Sequence, residues 1–256
     1  MILTKTTEQI KEMAAAGAIQ ARCLKMLRTK ARPGVTTAAL DEAAEKFIAS
    51  QGARAAFKGY RGFPGSICAS PNSMVVHGIP GPYKLQAGDI ISLDVGVVYG
   101  GWVADAAMTL PIGEINSETE KLIDTTRASL FDATEQVRAG NRLSDISNAV
   151  QRRVESEGLS VIRSLVGHGI GRDMHEDPQI PNYGEPGRGP VLEPGMVLAI
   201  EPMVTAGSPQ VRVGDDNWAV YSQDGSQAAH FEFTVAVTEN GPRVLTPWHE
   251  DDGQPG

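Results

Sequence analysis

The chain has 256 residues, a formal charge of −8, 41% apolar residues and 5% aromatic ones, which is enough for one large α/β domain or two small ones. The acidic balance argues against non-specific binding to nucleic acid, and two cysteines, Cys23 and Cys68, make neither a zinc-finger spacing nor a disulfide framework. The opening MILTKTTEQIKEM lacks the apolar core of a signal peptide and no run approaches about 18 apolar residues, so a cytoplasmic protein is expected.

Thr6 or Thr7 can cap a first helix, in which Ile10, Met13, Ala14, Gly17, Ala18, Ala21, Leu24 and Leu27 recur at helical spacing. Pro33-Gly34 breaks it. Thr36 or Thr37 then caps a second helix carrying Leu40, Ala43, Ala44, Phe47 and Ile48, stopped by Gly52. The Gly- and Pro-rich stretch GYRGFPGSICASPNSMVVHGIPGPY reads as loops and short strands, and Asp89 to Leu110 as a hairpin around Tyr99-Gly100-Gly101. A third helix is expected from Ser117 to Val137, and a fourth from Leu143 or Ser144 to Glu157, ending at Gly158.

The second half thus repeats the first. Gly34 falls on Gly140 and Gly52 on Gly158, an offset of 106 residues; LQAGDIISLDVGVV then falls on LEPGMVLAIEPMV at an offset of 107. That second match places Asp94 on Glu201, a carboxylate on a carboxylate. The chain reads as one pseudo-twofold α/β domain over 1–256, with repeats at about 6–113 and 117–246 and a mobile tail at 249–256.

Acidic residues within apolar strands are the most informative feature. Asp94 lies in IISLDVGVV, Glu201 in MVLAIEPMV and Glu232 in HFEFTVAV, although Asp and Glu are poor strand formers and are rarely buried unpaired. A two-residue turn at Tyr99-Gly100 opposes Asp94 to Asp105, whereas a turn at Gly100-Gly101 makes the two diagonal neighbours on the same face. With His168, between glycines in VGHGIGRDMHE, these four acids could bind two divalent cations, which would resolve their mutual repulsion.

The ordered set Asp94, Asp105, His168, Glu201 and Glu232, with GHGIG, HEDP, IEPMV, HGIP and the GY–GFP–S–C run from Gly59 to Cys68, resembles the methionine aminopeptidase family. The likeness extends from about Thr7 to Thr246. The short interval from His175 to Glu201 and the absence of an N-terminal extension resemble the bacterial type I form. The resemblance implies a pita-bread fold, in which a central curved antiparallel sheet is flanked by helices. It implies a metallo-exopeptidase that removes the initiator methionine from nascent polypeptides with a small second residue, acting as a monomer near the ribosome exit region. Two divalent ions (Co, Mn, Fe or Zn) would be held by the five residues, with Glu201 also shuttling a proton. His175 would stabilise the oxyanion, and His77 would contact the scissile nitrogen or the next backbone. Tyr60, Phe63, Cys68, Met174 and Trp218 would form the methionine pocket.

Four positions depart from the family pattern near the ligands: Gly96 and Ala106 where threonines are usual, Phe233 for a histidine, and His230 for a residue that is often glutamine. They bear on metal preference and water positioning. Two rival readings share the fold, namely an Xaa-Pro aminopeptidase or prolidase and a non-catalytic interaction protein.

Overall fold

The computed structural model describes residues 1–250. Helix α1 (Thr7–Lys30) begins at a reciprocal cap: the Gln9 N–H donates to the Thr6 hydroxyl, and the Thr6 N–H donates to the Gln9 side chain. Two otherwise unpaired donors of the first turn are thereby satisfied. Helix α2 (Thr37–Ser50) is capped by Thr36, which accepts from the Ala39 N–H. Five strands follow: β1 (Arg54–Ala55), β2 (Cys68–Pro71), β3 (Met74–Val76), β4 (Ile90–Tyr99) and β5 (Trp102–Pro111).

The second half opens with α3 (Ser117–Thr134) and α4 (Leu143–Ser156). α3 stops three residues short of Val137, because Gln136 and Val137 donate to Ala133 and Thr134 in tight turns instead of extending the α-helical ladder. Next come β6 (Ser160–Val161), β7 (Val166–Gly169), β8 (Glu176–Pro181), β9 (Val197–Ile200), β10 (Met203–Thr205), β11 (Val211–Val213), β12 (Val220–Ser222), β13 (Ala228–His230), β14 (Phe233–Thr238) and β15 (Gly241–Val244). Every pairing is antiparallel. β5 runs the full length of β4, whose other edge is shared by β1 and β2. A five-stranded sheet has the order β15-β14-β9-β7-β8, and two three-stranded sheets, β13-β10-β6 and β11-β12-β3, complete the set.

Matched positions of the two halves take matched structure. α2 and α4 are both 14 residues long and displaced by 106, and the bridge Thr36↔Lys84 is echoed by Arg142↔Val191. The expected single central sheet is, by its hydrogen bonds, divided: β5 lies alongside β14 of the five-stranded sheet and β13 of a three-stranded one. The Glu232 N–H donates to Ala107 O at 2.9 Å, and on either side a buried threonine hydroxyl bonds both backbone groups of the facing residue. Thr234 Oγ1 accepts from Asp105 N–H at 3.1 Å and donates to Asp105 O at 2.7 Å; Thr109 Oγ1 does the same to His230, at 2.8 and 2.9 Å. These hydroxyls satisfy buried backbone groups that a continuous ladder would otherwise have to pair.

Two expectations are corrected. The β4–β5 turn is Gly100-Gly101, with φ of 59° and 78°, so Tyr99 pairs with Trp102 and Asp94 with Ala107. Two left-handed residues in succession favour glycine at both sites, which decides against the Tyr99-Gly100 turn and makes Asp94 and Asp105 diagonal rather than opposed. His249 is not in a mobile tail: its ring lies 4.8 Å from that of Phe233 and 5.4 Å from that of Phe131. The rest of the expected tail, residues 251–256, lies outside the described residues.

Candidate metal centre and substrate cavity

The β4–β5 sheet and the five-stranded sheet face one cavity of about 190 Å³, and all twelve residues singled out from the sequence as site residues line it. Asp94 comes from β4 and Asp105 from β5, while His168 stands on β7. Glu201 follows β9, and Glu232 lies in the short break between β13 and β14. Asp105, His168 and Glu232 are buried and offer ligand atoms within 4.8 Å of one another. Glu201 adjoins them, with Oε1 3.4 Å from His168 Nε2. The His168 Nδ1 lies 2.9 Å from Gly169 O. That contact favours a proton on Nδ1, leaving the Nε2 lone pair directed into the site.

The electrostatics demand a cation. Burial and the neighbouring acids raise Asp94, Glu201 and Glu232 well above the ordinary carboxylate range, and desolvation lifts Asp105 to about 7. Desolvation also lowers His168 to about 4, which keeps it neutral. Asp94 Oδ1, Asp105 Oδ1 and Glu232 Oε1 are buried without a hydrogen-bond partner, and no lysine or arginine among the described residues ion-pairs with any of the four acids. Oxygen-rich donors with one imidazole suit a divalent cation of the Mn, Fe, Co or Zn type. The residues present therefore fit such a metal.

The remaining wall is apolar. Phe63 and Cys68 are buried, Phe63 packs edge-on against Trp218 at 5.1 Å, and Met174 closes the slot. The Cys68 thiol is raised well above its usual value, first by desolvation and then by Asp94, so it is a neutral wall group and not a thiolate nucleophile. The Tyr60 hydroxyl meets His175 Nδ1 at 2.8 Å and the two rings stack at 5.5 Å, which leaves His175 Nε2 as the ring nitrogen not engaged by Tyr60. His77 has a left-handed backbone, with φ of 60°; a non-glycine residue held there stores strain of the kind found at functional sites.

Two lining residues, Phe57 and Arg61, were not anticipated. Phe57 accounts for Gly96, since a Cβ at Gly96 would lie 2.7 Å from the Phe57 ring and 2.9 Å from the Ala56 methyl. Arg61 gave no periodic or motif signal. Ala106 and Phe233, expected beside the ligands, point the other way. Ala106 is in the main core, and Phe233 packs on Phe131 and Trp248, as alternation after Asp105 and Glu232 requires.

The model of metallopeptidase family M24 matches residues 11–239. The chain belongs to that family. Within it the chain is 52% identical over 246 residues to the methionine aminopeptidase of Clostridium perfringens, covering 96% of this chain and 99% of the relative. The crystal structure of methionine aminopeptidase from Rickettsia prowazekii superposes with a TM-score of 0.95 at 38% identity, covering 96% of this chain and all of that one. A more distant neighbour, the structure of the Xaa-Pro dipeptidase from Bacillus anthracis, superposes with a TM-score of 0.78 at 24% identity, covering 96% of this chain and 62% of that one, a likeness of fold alone. The fold is the pita-bread fold of these metallopeptidases.

Proposed function

We propose that this protein hydrolyses the peptide bond after an N-terminal methionine, on nascent chains with a small second residue, using two divalent metal ions. The observation that carries the reading is a single cavity in which four acids and His168 share the lining with apolar Phe63, Cys68, Met174 and Trp218. In this reading Asp94, Asp105, His168, Glu201 and Glu232 hold the metals, drawn from Co, Mn, Fe or Zn. When bound, the metals supply Lewis acidity and bring the pKa of water towards neutrality.

The chain's own groups do the rest. Tyr60, Phe63, Cys68, Met174 and Trp218 take the methionine side chain, each thioether–aromatic contact being worth about 0.3–1.5 kcal/mol. His175 donates from Nε2 to the carbonyl oxygen as negative charge develops on it. Its other nitrogen is already engaged by Tyr60. His77 contacts the scissile nitrogen or the next residue's backbone. Glu201 accepts a proton from the attacking water and returns it to the leaving amine as the C–N bond breaks. We place this activity in the cytoplasm, on chains leaving the ribosome, in a monomer.

The test compares metal-loaded protein on Met-Ala-Ser and on Xaa-Pro peptides. Free methionine from the first alone is the expected result; turnover of Xaa-Pro peptides, or of neither, would overturn the assignment.

A further inference from the structure

Behind Glu201, away from the cavity lining, stands a second imidazole. His230 is 2% exposed, both of its ring nitrogens lack a partner, and its Nε2 lies 3.7 Å from Glu201 Oε2. His168 faces the other oxygen, Oε1, at 3.4 Å, so the carboxylate is flanked by two histidines. A fully buried imidazole with no partner is costly, and its retention beside a charged group calls for a role.

The pseudo-symmetry supplies a second, independent reason. In the first half Asp94 pairs with Ala107. In the second, carrying the ladder one step past Ile200↔Phe233 sets Glu201 against Glu232. Ala107 is thus the counterpart of Glu232, Thr109 of Thr234, and Asp105 of His230. The two threonine clamps obey the same relation, since Thr234 grips the backbone of Asp105 and Thr109 that of His230. His230 therefore occupies, with the same backbone restraint, the position that in the first half carries a candidate metal ligand.

We propose that His230 is a positioning residue of the metal centre: its ring donates from Nε2 to Glu201 Oε2 and so leaves Oε1 as the oxygen presented to the metal. This rests on the metal-binding reading given above. Metal-ligating groups are commonly oriented by such hydrogen-bonded partners, whose loss weakens metal affinity by about 10- to 100-fold.

The experiment titrates metal-free protein with Co(II), following affinity and the visible absorption of the bound ion, for the wild type, His230→Gln and His230→Asn. A glutamine amide can reach Glu201 and donate, whereas asparagine is one methylene too short. The expected result is near-wild-type affinity and spectrum for His230→Gln, against a loss of about 10-fold or more with a shifted spectrum for His230→Asn. Unchanged behaviour of His230→Asn, or equal damage in both variants, overturns the role. An independent reading uses wild-type protein alone. Nitrogen NMR of the Zn(II)-loaded form should show His230 protonated at Nε2, and a proton at Nδ1 with Nε2 metal-bound would refute it. If the wild type takes up no Co(II), the metal-centre reading itself fails; if it does and the variants match it, only the role of His230 fails.

Discussion

The two halves of the molecule build the same frame and furnish it differently. In the first half, Asp94 and Asp105 sit on an unbroken hairpin of two ten-residue strands, with Gly96 packed close to the Phe57 ring. In the second, Glu201 lies just past the end of β9, and Glu232 in a break where the chain passes from one sheet to another. The equivalent of Gly96 there is Met203, which is buried. An intact ladder places a carboxylate by backbone geometry alone. A broken one needs extra ties, and Glu232 has them: its N–H is held by Ala107 O, and its carbonyl accepts from the Trp248 indole at 2.9 Å. The repeat thus sets where charge can be placed, and the irregular half adds reach and a second imidazole.

The sharpest way to break this comparison is to remove the one carboxylate pair that the repeat superposes. Asp94→Ala and Glu201→Ala should each lower kcat/KM for Met-Ala-Ser by roughly a thousand-fold, about 4 kcal/mol of transition-state stabilisation, with loss of bound metal by elemental analysis. A half-active Asp94 variant would remove the first half from the site. The threonine clamps come next. Thr234→Val and Thr109→Val each leave a buried N–H and C=O unpaired, which should cost about 2–4 kcal/mol in chemical denaturation. Metal affinity should fall in both, more in Thr234→Val, because that clamp holds a proposed ligand. Equal and unchanged affinities would show that the clamps serve stability alone.

Much of this arrangement was legible in the sequence. Helix starts, the 106-residue offset and the burial of the acids follow from periodicity and from the cost of burying charge. The hairpin register was not, because Tyr99-Gly100 and Gly100-Gly101 are both acceptable turns until φ is known at both positions. Strand alternation, applied strictly, would have turned Ala106 and Phe233 away from the site. Phe57 lies in irregular backbone and Arg61, with φ of 49°, in a single 3₁₀ turn, where no period predicts which side chain faces inward. The threonine clamps join strands far apart in sequence, and no local pattern announces them.

Gly96→Ala tests the asymmetry at smaller scale. Its methyl would press on Phe57 and Ala56, costing about 1–3 kcal/mol by thermal or urea unfolding and weakening binding of methionine peptides. A neutral effect would mean that the loop carrying Phe57 yields freely. The pH dependence is finer still. Asp105, raised by burial to about 7, holds a proton that the metal must displace. Metal affinity should therefore rise with pH through about 7, by up to about 1.4 kcal/mol per pH unit for each proton released. In metal-free protein, the stabilising contribution of this raised group is present at low pH and fades as pH rises through about 7. His168, lowered to about 4, acts oppositely: its contribution is complete above about pH 6.5 and is lost as pH falls towards about 4. The metal-induced increase in Tm should consequently widen between about pH 6 and about pH 8. A flat profile would contradict a protonated Asp105.

Direct titration of metal-free protein with Mn(II), with methionine release from Met-Ala-Ser followed at each addition, tests the central claim. The account predicts two ions bound per chain, release that rises with occupancy, and neither in the Asp94→Ala/Glu201→Ala double variant. Equal uptake by wild type and double variant, or release indifferent to metal, would contradict a centre built from these two strands.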